Sequence, residues 1–256
     1  MNHLDLFTGI GGFTIGLQNA GFTTVAQCEN DPYCHDILDA QYPDIPLYND
    51  VRTLTNEELK ADGITDIGII SAGFPCTDIS IAGRQEGIEA ERSGLWSETA
   101  RLIGEVRPRY FILENVTAIL SGHDGRWLAT VLRDVAEIGG YAVEWHCMAA
   151  SEFGYDHHRD RWWAIGYAEL PVPHSDSAGL EGWAGAIMQE CSIERVARPR
   201  SPFCRTEWDE SGVEIERDIR GNPHGLFRRS QRLKALGNAV VPAIPEALGR
   251  AILARG

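Results

Sequence analysis

The stretch Asp5-Leu6-Phe7-Thr8-Gly9-Ile10-Gly11-Gly12-Phe13 decides the fold. Residues 3–7 form an apolar run that reads as a strand, three glycines cluster directly after it, and residues 12–20 read as a helix. Glycines at such a junction bare backbone that side chains would otherwise shield, which suits a nucleotide-type ligand. A tight strand-to-helix turn also uses them for purely steric reasons. The spacing is not GxGxxG, because Thr14 holds the third glycine position, and an acid at Asp5 with Phe7 nearby suits a pyrophosphate badly. Glu29 closes the next apparent strand, where a carboxylate can accept hydrogen bonds from ribose hydroxyls. These residues favour a nucleoside with a cationic or zwitterionic tail.

Outward from this turn, short apolar runs alternate with helix-like segments up to residue 168, the mark of a wound α/β sheet. Strands are expected over 3–7, 23–29, 66–72, 110–115, 141–149 and 161–167, and helices over 12–20, 32–41, 95–106 and 125–138. Arg107-Pro108 and Gly139-Gly140 mark two helix ends. Beyond Ala168 the pattern breaks into a Pro-, Gly-, Ser- and Arg-rich stretch. Trp183, Phe203, Trp208 and Phe227 make it a small irregular lobe rather than a solvated tether. The chain divides into an α/β domain (1–168), the lobe (169–228) and a C-terminal segment (229–256) whose helix over 243–254 returns to the first domain.

The 256 residues, 43% hydrophobic, suffice for one sizeable core and exclude a disordered or fibrous chain. No run of about eighteen apolar residues occurs, and Asp5 interrupts any leader-type segment, so a cytoplasmic protein without a membrane span is expected. Six cysteines lie scattered without a CxxC pair, which indicates reduced thiols and no structural zinc. The net charge of -14 argues against a polyanionic partner at first sight. It divides unevenly: residues 1–194 hold 11 Lys+Arg against 30 Asp+Glu, and residues 195–256 hold 12 against 7.

Two further loops carry chemistry. The apolar run Ile67-Gly68-Ile69-Ile70-Ser71-Ala72 ends in Gly73-Phe74-Pro75-Cys76, which displays one thiol past the carboxyl end of a central strand. Most such cysteines are core packing; this position is where open α/β sheets bind ligands. Glu114 ends the next strand and is expected over the same crevice. Arg159 and Arg161 alternate on an extended stretch and point one way. His157 and His158 lack a third ligand, so no metal is expected.

Five blocks in order, DLFTGIGGF (5–13), GFPC (73–76), ENV (114–116), RDR (159–161) and GNAVVP (237–242), resemble the cytosine-C5 DNA methyltransferases. The resemblance implies a Rossmann-like S-adenosylmethionine-dependent methyltransferase sheet with helices on both faces, and a small target-recognition lobe over the unmatched residues. It implies Cys76 as the nucleophile that adds to cytosine C6, and Glu114 on N3 and the exocyclic amine. Arg161 is then expected on O2 and Arg159 near the phosphate backbone. The cofactor is expected over Asp5, Phe7, Gly9, Gly11 and Gly12, with Glu29 and Asn30 at the ribose and Asp50 at the adenine amine. Pro75, Leu95, Asn238, Ala239 and Val240 are expected to complete that pocket, and S-adenosylhomocysteine to leave it.

The implied substrate is double-stranded DNA with the target base flipped out, since C5 cannot be reached inside the stack. Ser80, His157, Arg198, Arg200, Arg205, Arg228 and Arg229 are the expected DNA contacts, without assignment to particular bases. His157 stands where the family usually has Gln, and Thr77 follows Cys76 where Gln is common. The short lobe is typical of phage and prophage members, some of which accompany restriction enzymes. A monomer is expected. An RNA cytosine-C5 methyltransferase is the nearest alternative; a regulator with a relic site is disfavoured by the joint presence of Cys76, Glu114 and Arg161, and a dinucleotide oxidoreductase by the missing third glycine.

Overall fold

Alternation along the first strand sorts its side chains between two cores: Leu4 and Leu6 enter one, while His3 and Asp5 lie on the opposite face. The structure, a computed structural model, describes residues 1–75, 94–168 and 223–255, without the side chains of 223–229 and 233. Seven strands form one sheet: β1 (Asn2–Leu6), β2 (Thr23–Cys28), β3 (Leu47–Tyr48), β4 (Ile67–Ala72), β5 (Tyr110–Val116), β6 (Tyr141–Ala149) and β7 (Asp160–Ala168). Their order is β3-β2-β1-β4-β5-β7-β6. Strands β1 to β5 pair in parallel, while β7 runs antiparallel to both β5 and β6. The chain therefore builds outward from β1 and reverses at β4, which makes the carboxyl ends of β1 and β4 the switch point where a ligand crevice opens.

Helices α1 (Gly12–Ala20), α2 (Pro32–Gln41), α3 (Asn56–Ala61), α4 (Leu95–Val106) and α5 (Arg126–Ile138) connect the strands, and α6 (Pro223–Asn238) and α7 (Ala243–Arg255) follow. Leu59, Trp96, Leu102, Ile103, Val131 and Val135 cover one face from α3, α4 and α5. Phe13 and Leu17 of α1 and Ile244, Leu248 and Ile252 of α7 cover the other. Each such fully buried side chain contributes about 1.5–3 kcal/mol. Arg107, in the left-handed region at the end of α4, donates to the carbonyls of Ile138 and Gly139 and so ties the ends of α4 and α5 together.

Contact between α1 and α7 depends on glycine. A Cβ on Gly16 would lie 2.4 Å from the Pro242 carbonyl oxygen and 2.6 Å from Pro245 Cγ. Gly16→Ala is expected to destabilise by roughly 1–3 kcal/mol, because the obstacle is backbone. Thermal unfolding followed by circular dichroism checks this; an unchanged midpoint would show that α7 can shift away freely.

Several expectations from sequence need correction. The first strand stops at Leu6, because Phe7 has φ 55° and leaves the extended region. Strand β3 and helix α3 were not expected, being only two and six residues long. Helix α6 begins at Pro223, whose fixed φ suits a first helical turn, inside the stretch read as the recognition lobe. The remaining lobe residues lie outside the described ones.

Candidate active site

The glycine turn after β1 is pinned from three sides. Thr8 Oγ1 donates to the Asp5 carbonyl at 2.9 Å, Gly11 N donates to the Thr8 carbonyl at 2.9 Å, and Gly9 N donates to Glu29 Oε2 at 2.7 Å. The other Glu29 oxygen accepts from Asn30 N at 2.9 Å and Asp31 N at 2.8 Å, so one carboxylate joins the turn to the start of α2. A Cβ on Gly9 would meet nothing within 4 Å, leaving the space above the turn open. Gly11 packs instead on the Tyr42 ring.

A shallow cleft is lined by Phe7, Cys28, Glu29, Asn30, Asn49, Asp50, Val51 and Leu95. It unites the expected Phe7, Glu29, Asn30, Asp50 and Leu95, and adds Cys28, Asn49 and Val51. The left-handed Phe7 is a bulky residue in a conformation that costs about 1–3 kcal/mol, a strain that recurs at ligand sites. Asp50 is held in place by Arg52, whose Nη2 lies 2.7 Å away and keeps the carboxyl below its ordinary range. An aromatic ring and two carboxylates suit a nucleoside with a cationic tail and offer no cation to a phosphate. S-adenosylmethionine fits this donor set.

Two of the expected cofactor residues lie beneath the cleft rather than in it. Asp5 is wholly buried: Thr14 N and Oγ1 donate to Oδ2 at 3.1 and 2.7 Å, and Ser71 Oγ donates to Oδ1 at 2.7 Å. Gly12 is packed against the C-terminal segment, since a Cβ there would lie 2.5 Å from the Val240 carbonyl oxygen. Val240 thus crosses the start of α1, and its Cγ2 comes within 3.8 Å of the Cβ position on Gly73. Just before it, Asn238 is exposed and Ala239 half-buried.

Strand β5 carries Glu114, 7% exposed, two residues before its carboxyl end. Glu114 pairs across the sheet with Trp163 and Val116 with Arg161, so Glu114 and Arg161 are diagonal neighbours on one face. Arg161 Nε lies 3.1 Å from Glu114 Oε1. Burial pushes the Glu114 carboxyl up to about 7, against the pull of Arg161 and Arg159. Burial, then the like charge of Arg161, lowers the Arg159 guanidinium, which donates to the Gly237 carbonyl at the end of α6. A carboxylic acid poised near neutrality beside a fixed guanidinium can donate a proton to, or accept one from, a ring nitrogen.

The loop after β4 approaches the same place. Asn115 Nδ2 donates to the Phe74 carbonyl at 2.9 Å, and the buried Phe74 ring packs on Trp96 with centroids 5.0 Å apart. Gly73 leaves room for Glu114, whose Oε2 would be 3.5 Å from a Cβ there. The described chain reaches the exposed Pro75. Cys76 and Ser80 lie outside the described residues, as do Arg198, Arg200 and Arg205. Arg228 and Arg229 sit on α6 without described side chains. His157 is exposed, its ring edge-on to Tyr155 at 5.8 Å. Among the described residues no group of three His, Cys, Asp or Glu side chains could hold a metal, and no helix is long and apolar enough to cross a membrane.

Sequence reasoning missed His3, Thr14, Thr24, Gln27 and Ser71, which form a buried polar chain around Asp5. The signal was present: a histidine and a serine inside strands flanked by aliphatic residues must find partners.

A wound sheet with a reversed last-joined strand and a glycine turn at its switch point is the Rossmann-like sheet of the S-adenosylmethionine-dependent methyltransferases. The model of the C-5 cytosine-specific DNA methylase family matches residues 1–182, and the chain belongs to that family. It is 38% identical over 165 residues to the Type II methyltransferase M.HpaII of Haemophilus parainfluenzae, a match covering 64% of this chain and 45% of that protein. Among solved structures it resembles a prophage-encoded E. coli protein described as a DNA modification methyltransferase, with TM-score 0.57 and 26% identity over 69% of this chain and 49% of that one. S. pombe Dnmt2 shares the fold, with TM-score 0.55 and 15% identity over 98% of this chain and 96% of its own. The matched stretch thus spans under half the length of M.HpaII.

Proposed function

We propose that the protein is a DNA (cytosine-5)-methyltransferase that acts on a flipped-out cytosine in a short double-stranded site. The observation that carries this reading is the buried Glu114–Arg161 pair, beside the loop that leads into Cys76. Cytosine C5 is too weak a nucleophile to attack a methyl group directly. Addition of the Cys76 thiolate to C6 pushes an electron pair toward C5 and N3, where the neutral Glu114 carboxyl donates its proton. Arg161 holds Glu114 at the ring edge and binds O2, while Arg159, anchored to the Gly237 carbonyl, faces the strand backbone. S-adenosylmethionine, when bound, supplies an electrophilic methyl on a sulfonium. Phe7, Glu29, Asn30, Asp50 and Leu95 would hold its nucleoside. Once C5 carries the methyl group, removal of its proton restores the C5–C6 double bond and expels the thiolate.

In this reading residues 1–168 carry the chemistry, 169–228 the target recognition with Arg198, Arg200, Arg205, Arg228 and Arg229, and 229–256 the closure of the pocket. Ser80 and His157 would face the DNA. One flipped base engages one site, so a monomer suffices. The test is transfer of radiolabelled methyl from S-adenosylmethionine to double-stranded DNA of varied sequence, with structured RNA alongside. Label on cytosine C5 of DNA is the expected result. Label on RNA alone would replace the substrate, and cofactor binding without label on either polymer would move the chain to a regulatory role.

A further inference from the structure

His3 is fully buried, and both of its ring nitrogens are engaged: Nδ1 lies 3.0 Å from Thr24 Oγ1 and Nε2 lies 2.7 Å from Ser71 Oγ. Ser71 has one hydroxyl proton and directs it to Asp5 Oδ1 at 2.7 Å. Its oxygen must therefore accept from His3, which places the ring proton on Nε2 and leaves Nδ1 to accept from the Thr24 hydroxyl. Burial lowers His3 to about 3, which keeps the ring neutral and this tautomer in place. On the other side, Gln27 Nε2 donates to Thr14 Oγ1 at 2.9 Å, and Thr14 passes its own proton to Asp5 Oδ2. Two relays from β2, one through β1 and β4 and one through α1, thus point every donor at one carboxylate.

That carboxylate sits where α1 needs it. The N-cap of α1 is Gly11, left-handed and without a side-chain cap. Asp5 supplies the missing acceptor from the neighbouring strand, taking Thr14 N at the third helical position at 3.1 Å. The turn between Asp5 and α1 contains Gly9, whose N–H is tied to Glu29, so a shift of the Asp5 carboxylate moves both the turn and the acid that lines the cleft. Ser71 lies two residues before Gly73, so the same relay also touches the strand that leads to the second loop of the site.

We propose that His3 and Ser71 are positioning residues for cofactor binding, acting through Asp5 on the start of α1 and on the glycine turn. This rests on the reading of the cleft as an S-adenosylmethionine site. Ser71→Ala removes one of the three donors to Asp5 and leaves His3 Nε2 without an acceptor. Loss of a donor to a wholly buried carboxyl, with a ring N–H left stranded, loosens the turn, so KM for S-adenosylmethionine should rise about tenfold. The turnover at saturating cofactor should stay within about twofold, because Glu114 and Arg161 are untouched. His3→Gln, whose amide can still donate to Ser71, should show a smaller rise than His3→Phe.

Full-length wild-type and variant proteins would be compared by steady-state kinetics and by calorimetric titration with S-adenosylhomocysteine. A network that only holds the fold would lower the active fraction and leave KM and the titrated affinity unchanged, and that result overturns the proposal. Should Ser71→Ala fail to fold, Thr24→Val, isosteric and at the far end of the relay, carries the same expectation with a smaller rise. Wild-type protein that binds neither S-adenosylmethionine nor its product would instead sink the reading of the cleft, and this inference with it.

Discussion

Cys76→Ala is expected to reduce methyl transfer by a factor on the order of 10⁴ or more, the scale on which loss of a covalent nucleophile is felt. Without sulfur at C6, C5 has no enamine character, and neither Glu114 nor Arg161 can supply it. Cofactor binding should survive, because Phe7, Glu29, Asn30, Asp50 and Leu95 are left in place. A second readout isolates the bond itself. DNA carrying 5-fluorocytosine should form a denaturation-resistant complex with the wild-type protein, because fluorine cannot leave C5 as a cation and the thiolate is never expelled. Cys76→Ala should form none. A covalent complex in the variant would move the nucleophile elsewhere, to a residue such as Cys28, which borders the cleft. Burial pushes the Cys28 thiol up to about 12, making it a poor candidate.

Glu114→Gln should lower kcat/KM by roughly 10²–10⁴, the usual worth of a positioned acid. The substitution keeps the shape and the hydrogen bond to Arg161 but removes the transferable proton. Since burial holds the Glu114 carboxyl near 7, wild-type kcat/KM should fall as pH rises through about 7, and the variant should lack that limb. Stability falls over the same range. A carboxyl whose folded pKa lies above its unfolded value stabilises the fold fully below the unfolded pKa of 4.5 and loses that contribution as pH rises through about 7. The midpoint of Glu114→Gln relative to wild type should therefore rise between pH 5 and pH 8. A variant that loses activity and stability in parallel at pH 8 would show that Glu114 serves packing alone.

The parts legible in sequence were those with a period or a breaker. Helices α1, α2 and α4 match their expected bounds, because Pro32, Arg107-Pro108 and the glycines at 11–12 and 21 punctuate them. Strand β6 was also legible, although its middle is exposed, because Gly139-Gly140 fixes where it starts. Helix α6 was hidden by a Pro-His-Gly opening and a polar composition that shows no apolar stripe. In the candidate site, Glu29 was legible from its place at the end of a strand and Asp50 and Leu95 from the family resemblance alone, and the three line one cleft. The place of Asp5 was not legible, because an acid beside a glycine turn looks like a ligand whether it faces the cleft or, as here, turns under it to cap α1. The partner that decides between the two is Thr14, nine residues away and on another element.

The packing of α7 on α1 has a temporal consequence. Phe13 and Leu17 leave the ribosome well before Ile244, Leu248 and Ile252, the residues that cover them. Val240, which closes over Gly12, and Gly237, which anchors Arg159, arrive equally late. Until α7 is made, the nascent sheet must carry one apolar face bare, a surface that attracts chaperones or neighbouring chains. A polypeptide made only as far as residue 236 would carry all seven strands and lack the segment that closes over them, so the two halves of this core meet only once α7 exists.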